Sequence, residues 1–320
     1  MSYYGSFDLS KFHVITMVSN PCRYKSRFEL YRKFKQYMTS CGVDLWTIEL
    51  AMGATPFNIT DPTNPRDIRM QYYDELWVKE NALNVLISRL PSDWEYVAWI
   101  DADIEFLRKD WLTEAMYQLQ RYQIIQMWEN AIDYGPDLEV IGPTAESFMS
   151  RYVKRGFSYP EGPQGYGEYH PGYAWAARRE AIDGMGTLYD KAILGAGDRH
   201  MALAWVGKTA NSFHPDMHSK YMENILQFEA RCRTTIRHDV GFMRGTINHF
   251  WHGRKKDRGY YDRWKILIDA QYDPGADIRR NSEGIYCLND DMTPRFLKLR
   301  DGIKNYFKSR NEDTNETKDY

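Results

Sequence analysis

Asp101-Ala102-Asp103 closes an apolar run, Tyr96-Val97-Ala98-Trp99-Ile100. Side chains at i and i+2 of an extended segment point the same way. The two carboxylates can therefore share one hydrated divalent cation, Mn2+ or Mg2+, and that cation can hold a diphosphate. A lone DxD is a common pair of loop acids; the apolar strand before it is what singles this one out. Far downstream, His249-Phe250-Trp251-His252-Gly253-Arg254-Lys255-Lys256-Asp257-Arg258 sets imidazoles ahead of a basic run. An imidazole can complete the coordination of Mn2+ held by carboxylates. Arg254 and Lys255 can neutralise a departing diphosphate. A third group is Gly195-Ala196-Gly197-Asp198. Its glycines allow a tight turn that puts Asp198 at a helix start, either as a general base or simply as an N-cap. It is not a dinucleotide fingerprint, because the third glycine is missing.

Three segments support these groups. Ser19, Asn20, Arg23 and Arg27 belong to the loop after the first strand, where a nucleotide base and ribose could lie. Lys79 and Asn84, in Trp77-Val-Lys-Glu-Asn-Ala-Leu-Asn84, could face the same crevice from a helix. Gly172, Tyr173 and Trp175 could border a sugar, with Trp175 stacking on its apolar face; a core tryptophan is the plainer reading.

The positioning elements follow from periodicity. His13–Val18 reads as a buried strand, and Phe28, Tyr31, Phe34 and Met38 mark a helix that Gly42 ends. Asp44–Ala51 is a second strand, which makes β-loop-α-β, the opening of a doubly wound α/β domain. Residues 52–70, with three prolines, read as loop. Leu76, Leu83, Leu86, Ile87 and Leu90 mark a helix, Tyr96–Ile100 a strand covered on both faces, Asp110–Arg121 a capped helix and Gln123–Met127 another strand. Residues 134–170, rich in Gly, Pro and Tyr, read as a long loop or insertion. Tyr173–Ala177 is strand-like, Arg178–Gly184 helix-like, and Gly195–Trp205 a turn running into a helix. The last residues are polar and are expected to fray.

The 320 residues suffice for one large domain or two small ones. A formal net charge of −2 gives no bulk attraction to nucleic acid or anionic membrane. Charge is uneven, however: Arg231–Lys265 holds ten Lys/Arg against three Asp/Glu, a local net of +7. The four cysteines have no CxxC spacing, so neither a zinc site nor a disulfide framework is expected. No apolar run is long enough to span a membrane, and the first residues lack the basic and apolar regions of a secretory signal. A cytoplasmic location is expected, in the host cytoplasm if the chain is viral.

In order, the nucleotide loop, "WVKENALN", "YVAWIDADIEF", "HPGYAWAARREAI", "GAGDRHM" and "HFWHGRKKDR" resemble a GT-A-fold glycosyltransferase over roughly residues 13–265. The resemblance is closer to a cytoplasmic bacterial or phage-type group than to anchored Golgi enzymes. It implies a Rossmann-like mixed sheet flanked by helices, with acceptor-side insertions and a C-terminal helical extension. The domain would span 1–265, with a nucleotide-sugar half over about 10–130 and an acceptor half over about 131–265. An extension at 266–308 and a flexible tail at 309–320 would follow. By resemblance, Asp103 is a direct metal ligand, Asp101 touches ribose or metal-bound water, and His252 rather than His249 completes the metal site. "GAGDRHM" is similar to the acidic segment supplying the base in inverting members, though it departs from their commoner Glu-Asp forms. The expected reaction moves a sugar from a nucleotide-sugar, foremost a UDP-sugar, to a hydroxyl acceptor, with Asp198 as base. The acceptor is a glycan or, if the chain is phage-borne, hydroxymethylated DNA. Two other classes remain: a metal-dependent nucleotidyltransferase, disfavoured by a first loop without glycine, and a non-catalytic binder of carbohydrate or nucleic acid.

Overall fold

β1 (Phe12–Ser19) buries Val14, Ile15 and Val18, and α1 (Lys25–Ser40) lays Tyr31, Phe34 and Met38 into the core beside it. β2 (Leu45–Met52) then returns parallel to β1, in register from Val14 opposite Leu45 to Ser19 opposite Leu50. The computed structural model describes residues 7–155 and 169–318. The proline-rich loop after β2 is organised by Glu49, whose buried carboxylate accepts from the backbone N–H groups of Asn58, Ile59 and Thr60. Beyond the last proline the chain recovers its ladder donors, and β3 (Asp67–Tyr72) adds an edge strand inside the stretch expected to be all loop.

Next come α2 (Lys79–Ile87), β4 (Tyr96–Ile100), β5 (Ile104–Phe106), α3 (Trp111–Arg121), β6 (Ile124–Gln126) and β7 (Asn130–Asp133). β8 (Ala145–Ser147) and α4 (Phe148–Arg155) fall where a loop was expected; Phe148 and Met149 give that helix its buried face. The remainder of the expected insertion, 156–168, lies outside the described residues. β9 (Tyr169–His170), β10 (Ala174–Arg178), α5 (Arg179–Met185), α6 (Gly197–Trp205), α7 (Ser219–Thr235), β11 (Val240–Phe242), β12 (Thr246–His249), α8 (Asp262–Asp269), β13 (Ile278–Arg280), β14 (Tyr286–Leu288) and α9 (Pro294–Ser309) complete the order.

The main sheet runs β11-β6-β10-β4-β1-β2-β3 and is parallel except for β10, antiparallel to both β4 and β6. This is the expected mixed α/β sheet flanked by helices. A ligand crevice is anticipated outside the carboxyl ends of its parallel strands. A second sheet, β5-β12-β7-β8-β9, stands at that end. The β13–β14 hairpin docks on α2 through Asn81, which donates to Gly284 O and accepts from Tyr286 N–H. Among the described residues no helix is long and apolar enough to cross a membrane.

As far as Glu316 the polar tail is tied to the domain rather than frayed. Asp313 accepts from the Lys25 and Ser26 N–H groups at the start of α1, and Trp251 donates to Thr314 O. Glu312, 1% exposed, accepts from Arg27 Nε at 2.8 Å and from the buried Arg310 at 2.6 Å. Breaking a buried pair strands a charge. Glu312→Ala is therefore expected to cost about 3–5 kcal/mol, read as a lower midpoint in urea with an unchanged slope. An unchanged midpoint would show that the tail does not stabilise the domain.

Candidate active site

The two sheets explain how distant segments meet. β4 ends at Ile100; Asp101 N–H donates to Tyr173 O, and the chain turns into β5. β12 pairs antiparallel with β5, placing His249 opposite Ile104, and Phe250 N–H donates to Asp103 O at 2.8 Å. β12 also pairs with β7, and that register sets His249 opposite Asp133. One strand thus carries His249 between Asp103 and Asp133.

The carboxylate of Asp103 and the Nε2 atoms of His249 and His252 converge, with ligand atoms all within 4.8 Å of one another. His252 Nε2 lies 3.1 Å from Asp103 Oδ2 and 3.2 Å from His249 Nε2. Arg258 can only donate, and its Nη2 is 3.1 Å from His252 Nε2, so that nitrogen presents a lone pair. Burial, with Arg258 adding to it, pushes the His252 pKa down to about 4. Asp133 Oδ1 sits 2.7 Å from His249 Nδ1, which fixes Nδ1–H as the donor and leaves Nε2 as a second lone pair. Lys255 holds the other oxygen of Asp133. Burial opposes ionisation of Asp103, but His252, His249 and Arg258 hold its pKa well below the usual carboxylate range. Its Oδ1 is buried with no hydrogen-bond partner. The Nε2 atoms of two imidazoles and a carboxylate thus face one another across one small space. They suit a divalent cation, and two imidazole nitrogens favour Mn2+ over Mg2+. Both histidines reach this group, so the expected preference for His252 over His249 is not what the geometry gives. Asp101 is outside the group: its carboxylate pairs with Lys79, and burial, opposed by that pairing, leaves Lys79 charged.

Across the same cavity lies Asp198. Ala196, not Asp198, is the N-cap of α6, and it adopts a left-handed φ of 73°. Asp198 Oδ1 accepts from the N–H of Arg199. A Cβ at Gly172 would lie 2.7 Å from Asp198 Oδ2 and 2.8 Å from His170 Cε1, so only glycine leaves room between them. A Cβ at Gly197 would lie 2.6 Å from the carboxyl carbon of Glu80. Burial pushes the Glu80 pKa up to about 8, so this acid is protonated at neutral pH. Gly172→Ala is expected to displace Asp198 and lower turnover by about tenfold or more, with the melting temperature as a control for folding. Turnover at the wild-type level would show that the close approach is not needed.

The cavity wall further along is basic: Arg27, Arg258, Arg263 and Arg310 line it, beside Ser19, Trp77 and Phe307. Arg254 and Lys255, expected to meet a diphosphate, are engaged elsewhere. Arg254 pairs with Asp257 and Glu316, and Lys255 with Asp133, and neither lines the cavity. Asn20 instead organises its own loop by exchanging hydrogen bonds with Tyr24, and Arg23 is exposed. Asn84 clamps the backbone of Leu188. Trp175 is a core residue: its indole N–H donates to Pro171 O and it packs edge-on against Trp205, 4.7 Å between centroids. Tyr173 does line the cavity, with His249 at 4.7 Å. Glu80, Asp133, His170, Arg258, Arg263, Arg310 and Glu312 were not singled out from sequence. Arg258 alone carried a signal, as the last basic residue of the run after His252.

No family model matches the chain, and comparison with curated protein sequences gives no match. Solved structures give similarities at low identity. Drosophila beta1,4-galactosyltransferase 7, as a mutant in complex with manganese, UDP-Gal and xylobiose, is 12% identical with a TM-score of 0.38, over 87% of this chain and 95% of that one. TarS 1-349 of S. aureus, in complex with UDP-GlcNAc, is 8% identical with a TM-score of 0.39, over 93% of this chain and 72% of that one. At these values activity has to be argued from the site itself.

Proposed function

We propose that this protein is a Mn2+-dependent glycosyltransferase that moves a sugar from a nucleotide-sugar, with a UDP-sugar as the working donor, to a hydroxyl. The observation that carries this reading is one cavity with three chemically distinct walls: Asp103, His249 and His252; the arginines 27, 258, 263 and 310; and Asp198. The arginine wall suits a diphosphate, since guanidinium forks match phosphate oxygens. Asp103, His249 and His252 would hold the cation, which when bound supplies charge neutralisation to the leaving diphosphate. Lys79, which also lines the cavity, holds Asp101 in place. Asp198 takes the proton of the acceptor hydroxyl as it attacks the anomeric carbon; in-line attack of this kind inverts that carbon.

A nucleic-acid acceptor is not favoured. Half of the ten cations of the +7 segment are engaged inside the fold: Arg233 pairs with Glu229, Arg254 with Asp257 and Glu316, and Lys255 with Asp133, while Arg258 and Arg263 are buried at the cavity. That weakens the segment as a track for a phosphate backbone. The test is a mass-spectrometric screen of UDP-, GDP- and CMP-sugars with Mn2+ against small glycans, hydroxymethylated duplex DNA and proteins. Metal-dependent release of a nucleoside diphosphate, or of CMP from a CMP-sugar, supports the reading. Binding of polymer with no turnover of any nucleotide-sugar overturns it in favour of a non-catalytic binder.

A further inference from the structure

Beside Asp198 the cavity presents a second polar group. Gly172 N–H donates to His170 Nδ1 at 3.0 Å. That nitrogen therefore carries a lone pair, and the neutral ring must hold its proton on Nε2. The ring cannot swing freely. It lies flat on Tyr173, 4.1 Å between centroids at 13°, and Tyr173 is itself wedged against Trp128 and His249. His170 lines the cavity, and its Nε2–H has no partner among the described residues. Burial pushes the ring's pKa down to about 4, which keeps this tautomer through the neutral range.

We propose that His170 is a specificity-determining donor of the acceptor subsite, and that with Asp198 it selects an acceptor carrying two adjacent hydroxyls, a carbohydrate rather than a lone alcohol. The proposal rests on the transferase reading above. A single residue's missing side chain separates the two groups: the vacant Cβ position of Gly172 is 2.7 Å from Asp198 Oδ2 and 2.8 Å from His170 Cε1. On one side of that gap is a carboxylate, which only accepts; on the other the ring approaches through Cε1, the carbon bonded to Nε2, whose N–H only donates. A donor placed on the attacking oxygen would draw off the lone pair needed for attack. Nε2–H is therefore suited to the neighbouring oxygen, while Asp198 receives the proton of the reacting one. A vicinal diol satisfies both at once. The side chain of serine or threonine, or a hydroxymethylated base, offers one hydroxyl and leaves the imidazole N–H unmet.

The test uses the full chain with Mn2+ and its best nucleotide-sugar. Two rates are taken from the same preparation: transfer to a panel of methyl pyranosides, and donor hydrolysis with water as acceptor. N-acetylserine amide and the base 5-hydroxymethylcytosine serve as single-hydroxyl controls. His170→Phe, which keeps the stack on Tyr173 but removes both nitrogens, is expected to lower the ratio of transfer to hydrolysis by about tenfold through the acceptor KM. His170→Gln, which restores an N–H, should recover part of it. A ratio unchanged in His170→Phe, or a control alcohol outperforming every pyranoside, overturns the proposal. If no nucleotide-sugar turns over, the transferase reading falls first. The subsite is then read by side-chain 15N spectra with Mg2+, UDP and the same pyranosides. A shift at His170 Nε2 sustains diol recognition, and its absence with every pyranoside ends it.

Discussion

Asp103→Ala is expected to abolish Mn2+ binding and, with it, Mn2+-dependent binding of UDP. The carboxylate stands against two imidazole nitrogens, 3.1 Å from His252 Nε2 and 4.0 Å from His249 Nε2. Nothing else in the described group supplies negative charge to a cation there. Loss of a hydrogen-bonded partner behind a ligand already costs about 10–100-fold in metal affinity. Loss of the ligand itself should exceed that. Asp133→Asn provides the graded comparison, because it leaves all three ligands and acts from behind them, on the hydrogen bond that sets the His249 tautomer and on the Lys255 ion pair; about 10–100-fold is expected for it. Asp101→Asn separates the two acids of the motif. Its carboxylate pairs with Lys79 rather than with the histidines, so Mn2+ affinity should stay near wild type. Calorimetric titration of Mn2+, then of UDP in the presence of Mn2+, reads all three. Equal Mn2+ affinity in wild type and Asp103→Ala would remove the metal site from this corner of the cavity.

These contrasts also mark what could be seen in the sequence. Asp101-Ala102-Asp103 was legible because its strand is apolar throughout, and in this sheet β4 is covered on both faces. His252 was legible as an imidazole ahead of a basic run. The role of His249 was not, because it depends on Asp133, over a hundred positions away and joined only by the β7–β12 register. Which members of a basic run turn inward is equally hidden. Gly253 and Gly259, with φ of 87° and 49°, bend the loop so that Arg258 faces the cavity while Arg254 meets Asp257. The tail failed for a related reason: polar composition says that a segment can be solvated, not that Arg310 and Glu312 will be buried against each other. Trp175 shows the reverse case, an aromatic at a chemically suggestive spacing that belongs to the core.

Asp198→Asn should leave Mn2+ and UDP binding intact and lower both transfer and donor hydrolysis by about 10²–10⁴-fold, the usual worth of a positioned general base. The substitution keeps the shape of the side chain, and the oxygen that accepts from Arg199 N–H can be retained. Folding is therefore expected to be unaffected, and the loss should appear in kcat. A base must be near its proton and near nothing that would consume its charge. Asp198 meets the second condition in an instructive way. Lys79 is already held by Asp101, and the neighbouring acid, Glu80, is kept protonated by burial. The site therefore holds one more carboxyl than it holds negative charge, a division of roles seen where paired acids serve different functions. The competing assignment, Glu80 as the base with Asp198 as its support, makes the opposite demand. Glu80→Gln would then fall as far as Asp198→Asn, and the rate of the wild type would climb as pH rises through about 8, where Glu80 ionises. With Asp198 as base, turnover does not require Glu80 to ionise, so Glu80→Gln should retain most of the rate and lack any step in the profile near pH 8. A pH–rate profile of wild type and Glu80→Gln from pH 6 to about 9 separates the two acids without any knowledge of the acceptor, because donor hydrolysis alone reports it.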